Sequence, residues 1–181
     1  KAGKEITQRE MELLLNKTGT DMGNLRMEME KLISYTEGRD VVTAEDIEEI
    51  CTTQTTNRIF DMVRAVTEKN QKRALELYYD LLTLKEPPMR ILFLLAKQYR
   101  QLLLAKQFAA AGLAQTEIAS KLGVPGFVVR NITTCARAYT ISELEQAVKD
   151  FVDAEESVKT GRLEDKLSVE LLIIKYSSKV K

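Results

Sequence analysis

Histidine is absent from all 181 residues. That removes the commonest general base near neutral pH and the commonest side-chain metal ligand. Serine, threonine and cysteine are present, but no imidazole is there to activate them. The two cysteines, Cys51 and Cys135, lie far apart without metal-ligand spacing. Each reads as a small apolar residue in a reducing compartment. Neither a GxxxxGK[ST] nor a GxGxxG loop occurs, so no phosphate cradle is spelled out. No apolar run reaches the roughly 18 residues that a bilayer span needs, and no signal peptide opens the chain. The first residue is Lys1 rather than Met, as expected of a piece of something longer. Proline and glycine are scarce, at 3 and 8 residues, and most fall where helices should end.

Charge of one sign is missing overall but not locally. Lys plus Arg and Asp plus Glu both number 27. Residues 1–56 hold 7 basic and 12 acidic side chains (−5), residues 57–137 hold 13 and 6 (+7), and residues 138–181 hold 7 and 9 (−2). The balance gives the whole chain no electrostatic case for nucleic acid or membrane, whereas its middle could face an anionic partner. The carboxylate pairs Glu48/Glu49 and Glu155/Glu156 are adjacent in sequence, so on a helix they diverge. No catalytic, cofactor-binding or metal-binding residue is nominated, and no cofactor is expected.

What is present is helix after helix, which gives an all-α fold. Thr7-Gln8-Arg9-Glu10 has the capping-box pattern and precedes a helix carrying Met11, Leu14 and Leu15. After a turn at 18–21, Asp21 should cap a second helix, with Leu25, Met29, Leu32 and Ile33 on one stripe, ended by Gly38. Val41-Val42 reads as a short extended piece, and Thr43 as the start of a third helix carrying Ile47 and Ile50. Residues 52–57, TTQTTN, are polar and aperiodic, so a domain boundary is placed there: 1–52, a linker at 53–56, then 57–181. Further helices are expected near 57–68, from Asn70 to Leu84, from Pro87 to Gly112, near 116–122 and 126–138, from a Ser142–Glu145 cap to Thr160, and through Leu167–Tyr176. The tail after Ser177 should fray.

The most informative stretch is EPPMRILFLLAKQYRQLLLAK, residues 86–106. Its helix is apolar on two sides: Leu92, Leu95, Tyr99 and Leu102 on one, Ile91, Leu94, Ala105 and Phe108 on the other. Such a helix is enclosed by neighbours or lies in an interface. Arg90, Lys97, Arg100 and Lys106 run along it, and Lys97 and Arg100 share a face. With Arg130 they are the candidate contacts to DNA or to another subunit. Residues 115–138 have helix-turn-helix spacing, with Gly123 at the turn. A DNA reader would need Arg, Lys, Asn or Gln at the start of the second helix, where Pro125, Gly126 and Phe127 stand.

The order LRMEMEKLISY, VTAEDIEEI, NRIFDMVRAV, RALELYYDLL, EPPMRILFLLAKQYRQLLLAK, IASKLGVPGFVVRN and DAEESVKTGRL resembles the bacterial DNA polymerase III delta subunit family, from about Glu5 to Tyr176. The resemblance implies a fragment: a three-helix lid of AAA+ type over 1–52, then a helical-bundle collar over 57–181. It further implies a non-catalytic subunit of a DNA-directed DNA polymerase (nucleotidyltransferase) holoenzyme, without a working ATP site, acting in DNA replication in the cytoplasm. The implied partners are clamp-loader subunits of delta prime and gamma/tau type, and primer-template DNA within the complex. The sliding clamp would be met only through an N-terminal domain not in this sequence, and no membrane is implied. The collar would join a ring of five related collars. The alternatives are a helix-turn-helix regulator using 115–138 and, less well supported, an all-helical enzyme.

Overall fold

The computed structural model describes residues 3–19, 21–52 and 55–178. Among them are ten helices, and the only β pairing is an isolated parallel bridge between Glu5 and Val41. The chain divides into two compact units, Lys1–Arg58 and Ile59–Lys181.

The first unit is built from α1 (Gln8–Thr18), α2 (Met22–Tyr35) and α3 (Ala44–Ile50). Thr7 and Thr43 head α1 and α3 with capping boxes closed by Glu10 and Asp46, and Asp21 accepts from the Asn24 amide at the head of α2. These contacts satisfy first-turn amides that have no partner within the helix. Leu14, Leu32, Val42, Ile47 and Cys51 form the core. The α2 stripe differs from expectation: Met29 is exposed, whereas Glu28 is buried at 5 % exposure. The reason is a long-range contact: the Glu28 carboxylate accepts from the Thr52 amide at 3.1 Å and pairs with Lys31 at 2.6 Å.

The second unit holds α4 (Thr55–Thr67) from Ile59 onward, α5 (Gln71–Thr83), α6 (Pro88–Ala110), α7 (Gln115–Leu122), α8 (Gly126–Ala136), α9 (Ile141–Lys159) and α10 (Asp165–Ser177). α6 is its axis, packed against α7, α8, α9 and α10, while α5 lies on α10. Of the expected linker, Thr53 and Gln54 fall outside the described residues, and Thr55 already opens α4. Threonine and asparagine suit a first helical turn, whose amides point outward, so aperiodic polarity there does not exclude helix. Thr20 of the expected turn and residues 179–181 of the expected frayed tail also lie outside the described residues. The cap of α9 is Thr140, closed by Glu143, two residues before the expected Ser142–Glu145 pair. α6 begins at Pro88 with Pro87 as its N-cap, where a missing amide costs nothing.

Four lysines close helix ends supplied by other elements. The Nζ of Lys4 donates to the Thr36 carbonyl (2.7 Å), that of Lys17 to Ile47 (3.1 Å), that of Lys69 to Tyr176 (2.9 Å), and that of Lys106 to Ala136 (3.0 Å). Each accepting carbonyl lies in the last turn or at the C-cap of α2, α3, α10 or α8, where the helix dipole is negative.

Candidate docking faces

α6 takes its shape from its neighbours. Leu92, Leu95, Tyr99 and Leu102 are buried, as expected of the first stripe. The second expected stripe is internal as well: Ile91 and Ala105 are fully buried, and Leu94 and Phe108 pack half-buried against the same core. The residues left outside are different ones. Phe93 is 65 % exposed, and exposed Lys97 and Arg100 and half-buried Leu104 follow it at offsets of four, seven and eleven. That spacing keeps all four on one side of a helix.

The structure divides the five candidate contact residues. Arg90, Lys97 and Arg100 share the outer face of α6. Arg90 pairs with Glu86 at 3.1 Å, whereas Lys97 and Arg100 have no ion pair among the described residues. Lys106 lies about two and a half turns beyond Lys97, on the opposite side. Its ammonium is committed to the Ala136 carbonyl, so it leaves the candidate set. Arg130 is exposed on α8, away from the α6 stripe in sequence and carried by another element. Phe93 is hard to single out in the sequence because its apolar ring sits within an apolar run; the cations flanking it on the outer face are the available signal.

α7 and α8 form the expected helix-turn-helix, with Gly123 at φ +64° in the left-handed turn. Its packing is structural: Ile118, Val129 and Ile132 are buried in the shared core. The first residues of α8, after the Pro125 cap, are exposed Gly126 and half-buried Phe127, which offer no hydrogen bonds to base edges.

The carboxylate pairs split as their spacing predicts. Glu48 pairs with Lys17 while Glu49 accepts from the Tyr35 hydroxyl, and Glu155 pairs with Lys159 while Glu156 pairs with Arg162. Among the described residues, no three of His, Cys, Asp or Glu converge as metal ligands. Burial pushes the Cys51 thiol up to about 11 and raises that of Cys135, so both stay protonated and unreactive near neutral pH. No helix among the described residues is long and apolar enough to cross a membrane.

Fold and surface together define a class: an all-helical bundle protein whose distinguishing outward feature is a helix face of aromatic and basic residues. Comparison with known proteins makes it particular. The model of the family described as DNA polymerase III delta subunit, C-terminal domain, matches residues 56–176, and the chain belongs to that family. It is 28 % identical over 153 residues to DNA polymerase III subunit delta of Bacillus subtilis (strain 168), covering 84 % of this chain and 44 % of the relative. It is 24 % identical over 115 residues to a probable DNA polymerase III subunit delta of Aquifex aeolicus (strain VF5), covering 63 % and 33 %. The solved Bacillus subtilis DNA clamp loader delta protein (YqeN) superposes with a TM-score of 0.87 at 26 % identity, covering 98 % of this chain and 52 % of that one. The chain thus spans about half or less of the length of these relatives.

Proposed function

We propose that this chain is the scaffold portion of a clamp-loader delta subunit. Residues 1–52 serve as its lid of AAA+ type, and residues 57–181 as the collar that joins sister collars in a ring. The partners are the delta prime and gamma/tau-type subunits, with primer-template DNA held inside the complex in the cytoplasm. The sliding clamp is met through the part of the protein outside this chain. Within the holoenzyme the role is geometric, and bond chemistry belongs to other subunits. The supporting observation is that α6 fills its own bundle and still presents Phe93 to solvent at 65 % exposure. An aromatic ring aligned with cations along one helix face suits a docking surface, where aromatic and arginine side chains are enriched. Co-purification of the chain with the other loader subunits tests the reading. Stable association is expected, and failure to bind any of them while retaining helical structure would refute it.

A further inference from the structure

Which face of the collar meets a neighbour, and what that neighbour presents, follows from the outer side of α6. Arg90, Phe93, Lys97, Arg100 and Leu104 recur with alternating steps of three and four. That is the seam spacing by which two helices lie side by side at a shallow angle. From Arg90 to Leu104 the seam runs about 21 Å, four turns of helix. Two of its positions are apolar, and Phe93 stands exposed between cations. The surrounding segment is strongly one-signed: residues 87–137 contain seven Lys/Arg (90, 97, 100, 106, 121, 130, 137) and one acid, Glu117.

We propose that this seam docks a helix of a neighbouring loader subunit that carries carboxylates interleaved with aliphatic side chains. The proposal rests on the ring reading above and identifies the face and the partner chemistry. An aliphatic helix alone would leave Lys97 and Arg100 desolvated and unpaired, which costs more than the contact returns. Facing carboxylates remove that cost, while Phe93 and Leu104 supply the buried apolar centre. A second copy presenting the same face would oppose cation to cation, so the contact is between unlike faces. This chain itself carries a surface of related kind: α10 exposes Leu167 and Leu171, flanked by exposed Glu164 at its N-cap and half-buried Glu170. A duplex fits the seam less well. Phosphate binding grows with the number of cationic contacts, the seam offers two unpaired ones, and phosphates would not cover Phe93 or Leu104.

The test measures association of the chain with the other loader subunits, for the original chain and two variants. These are the charge reversal Lys97→Glu/Arg100→Glu and the apolar deletion Phe93→Ser, with Lys149→Glu at an exposed position of α9 as control. All four positions are exposed, and circular dichroism checks the fold. If the double reversal perturbs it, Lys97→Glu alone replaces it. Association is expected to weaken at least tenfold in both seam variants and to stay unchanged in the control. Rising salt should weaken association of the original chain and strengthen that of the charge-reversed one, whose new carboxylates face the partner's own. Undiminished association of the seam variants overturns the proposal and leaves the ring reading standing. If the original chain joins no subunit, the ring reading itself fails. If charge reversal abolishes binding of a labelled primer-template duplex while subunit association persists, the face belongs to nucleic acid and the proposal is wrong.

Discussion

Tyr99 and Tyr139 offer the sharpest test of how the second unit is held together. The two hydroxyls lie 3.1 Å apart, and the residues are 1 % and 5 % exposed. One hydroxyl donates and the other accepts; the Tyr99 ring also touches Phe151 (5.0 Å between centroids) and Tyr176 (5.5 Å). Tyr99→Phe keeps those ring contacts and strands the Tyr139 hydroxyl in a nearly dry site. An orphaned buried hydroxyl costs about 1–3 kcal/mol, so a loss of about 2 kcal/mol is expected, and the same for Tyr139→Phe. The double variant leaves no orphan and is expected to lose about 1 kcal/mol or less. The coupling between the two sites is then about 3 kcal/mol, at the upper end for side chains in contact. Burial pushes the Tyr139 hydroxyl up to about 12 and that of Tyr99 higher than its ordinary value, so the effect should not change between pH 6 and 9. Urea titration followed by tyrosine emission suits this chain, because Tyr78, Tyr79, Tyr99, Tyr139 and Tyr176 all lie in the second unit and only Tyr35 in the first. For a unit of this size, 2 kcal/mol corresponds to a fall in Tm of roughly 8 °C. A double variant whose loss equals the sum of the single ones would refute the claim that the hydroxyls satisfy each other.

Thr140→Ala is expected to destabilise by about 1 kcal/mol, whereas Ser142→Ala should change stability by less than about 0.5 kcal/mol, and chemical denaturation separates them. Leu95→Asp, at a site 2 % exposed, should lose more than about 4 kcal/mol and unfold the second unit, while Arg100→Glu on the outer face should leave the far-ultraviolet dichroism intact. For Asp150, burial favours the neutral acid, but hydrogen bonds from Lys175, Tyr176 and Gln146 outweigh it and hold the carboxyl below its ordinary range. A folded-state pKa below the unfolded one adds stability that is complete above the unfolded value, about 4, and lost as pH falls through the folded value. Thermal melts between pH 5 and 2 should therefore show a smaller acid-induced loss for Asp150→Asn than for the original chain, with lower stability at pH 7.

What could be read from the sequence was local. Thr7, Asp21, Thr43 and Asn70 all cap helices where expected, because a cap and the amide it serves lie three residues apart. The cap of α9 is ambiguous for the same reason: Thr140–Glu143 and Ser142–Glu145 spell the same pattern, and the helix takes the first of the two. Contacts across tens of residues were out of reach. Nothing near Glu28 announces that the Thr52 amide will meet it, and nothing near Lys106 announces the end of α8. Basic side chains that look alike in a row thus divide into those that close helix ends and those that remain outside.

The same limit explains why two apolar stripes on α6 are visible while the strip that stays outside the core is not. Periodicity measures how much of a helix is apolar; the number of helices around it decides how much of that is consumed. α6 is packed by four others, so its buried arc is wide enough to take both stripes, from Leu92 and Leu95 round to Ile91 and Ala105. The remainder is a narrow strip of one aromatic, one leucine and three cations. Averaged along the sequence, such a strip looks like ordinary helix surface. Its meaning appears only once the core has been filled and Phe93 is still outside, which is why a candidate interface on a central helix is found by subtracting the core from the pattern.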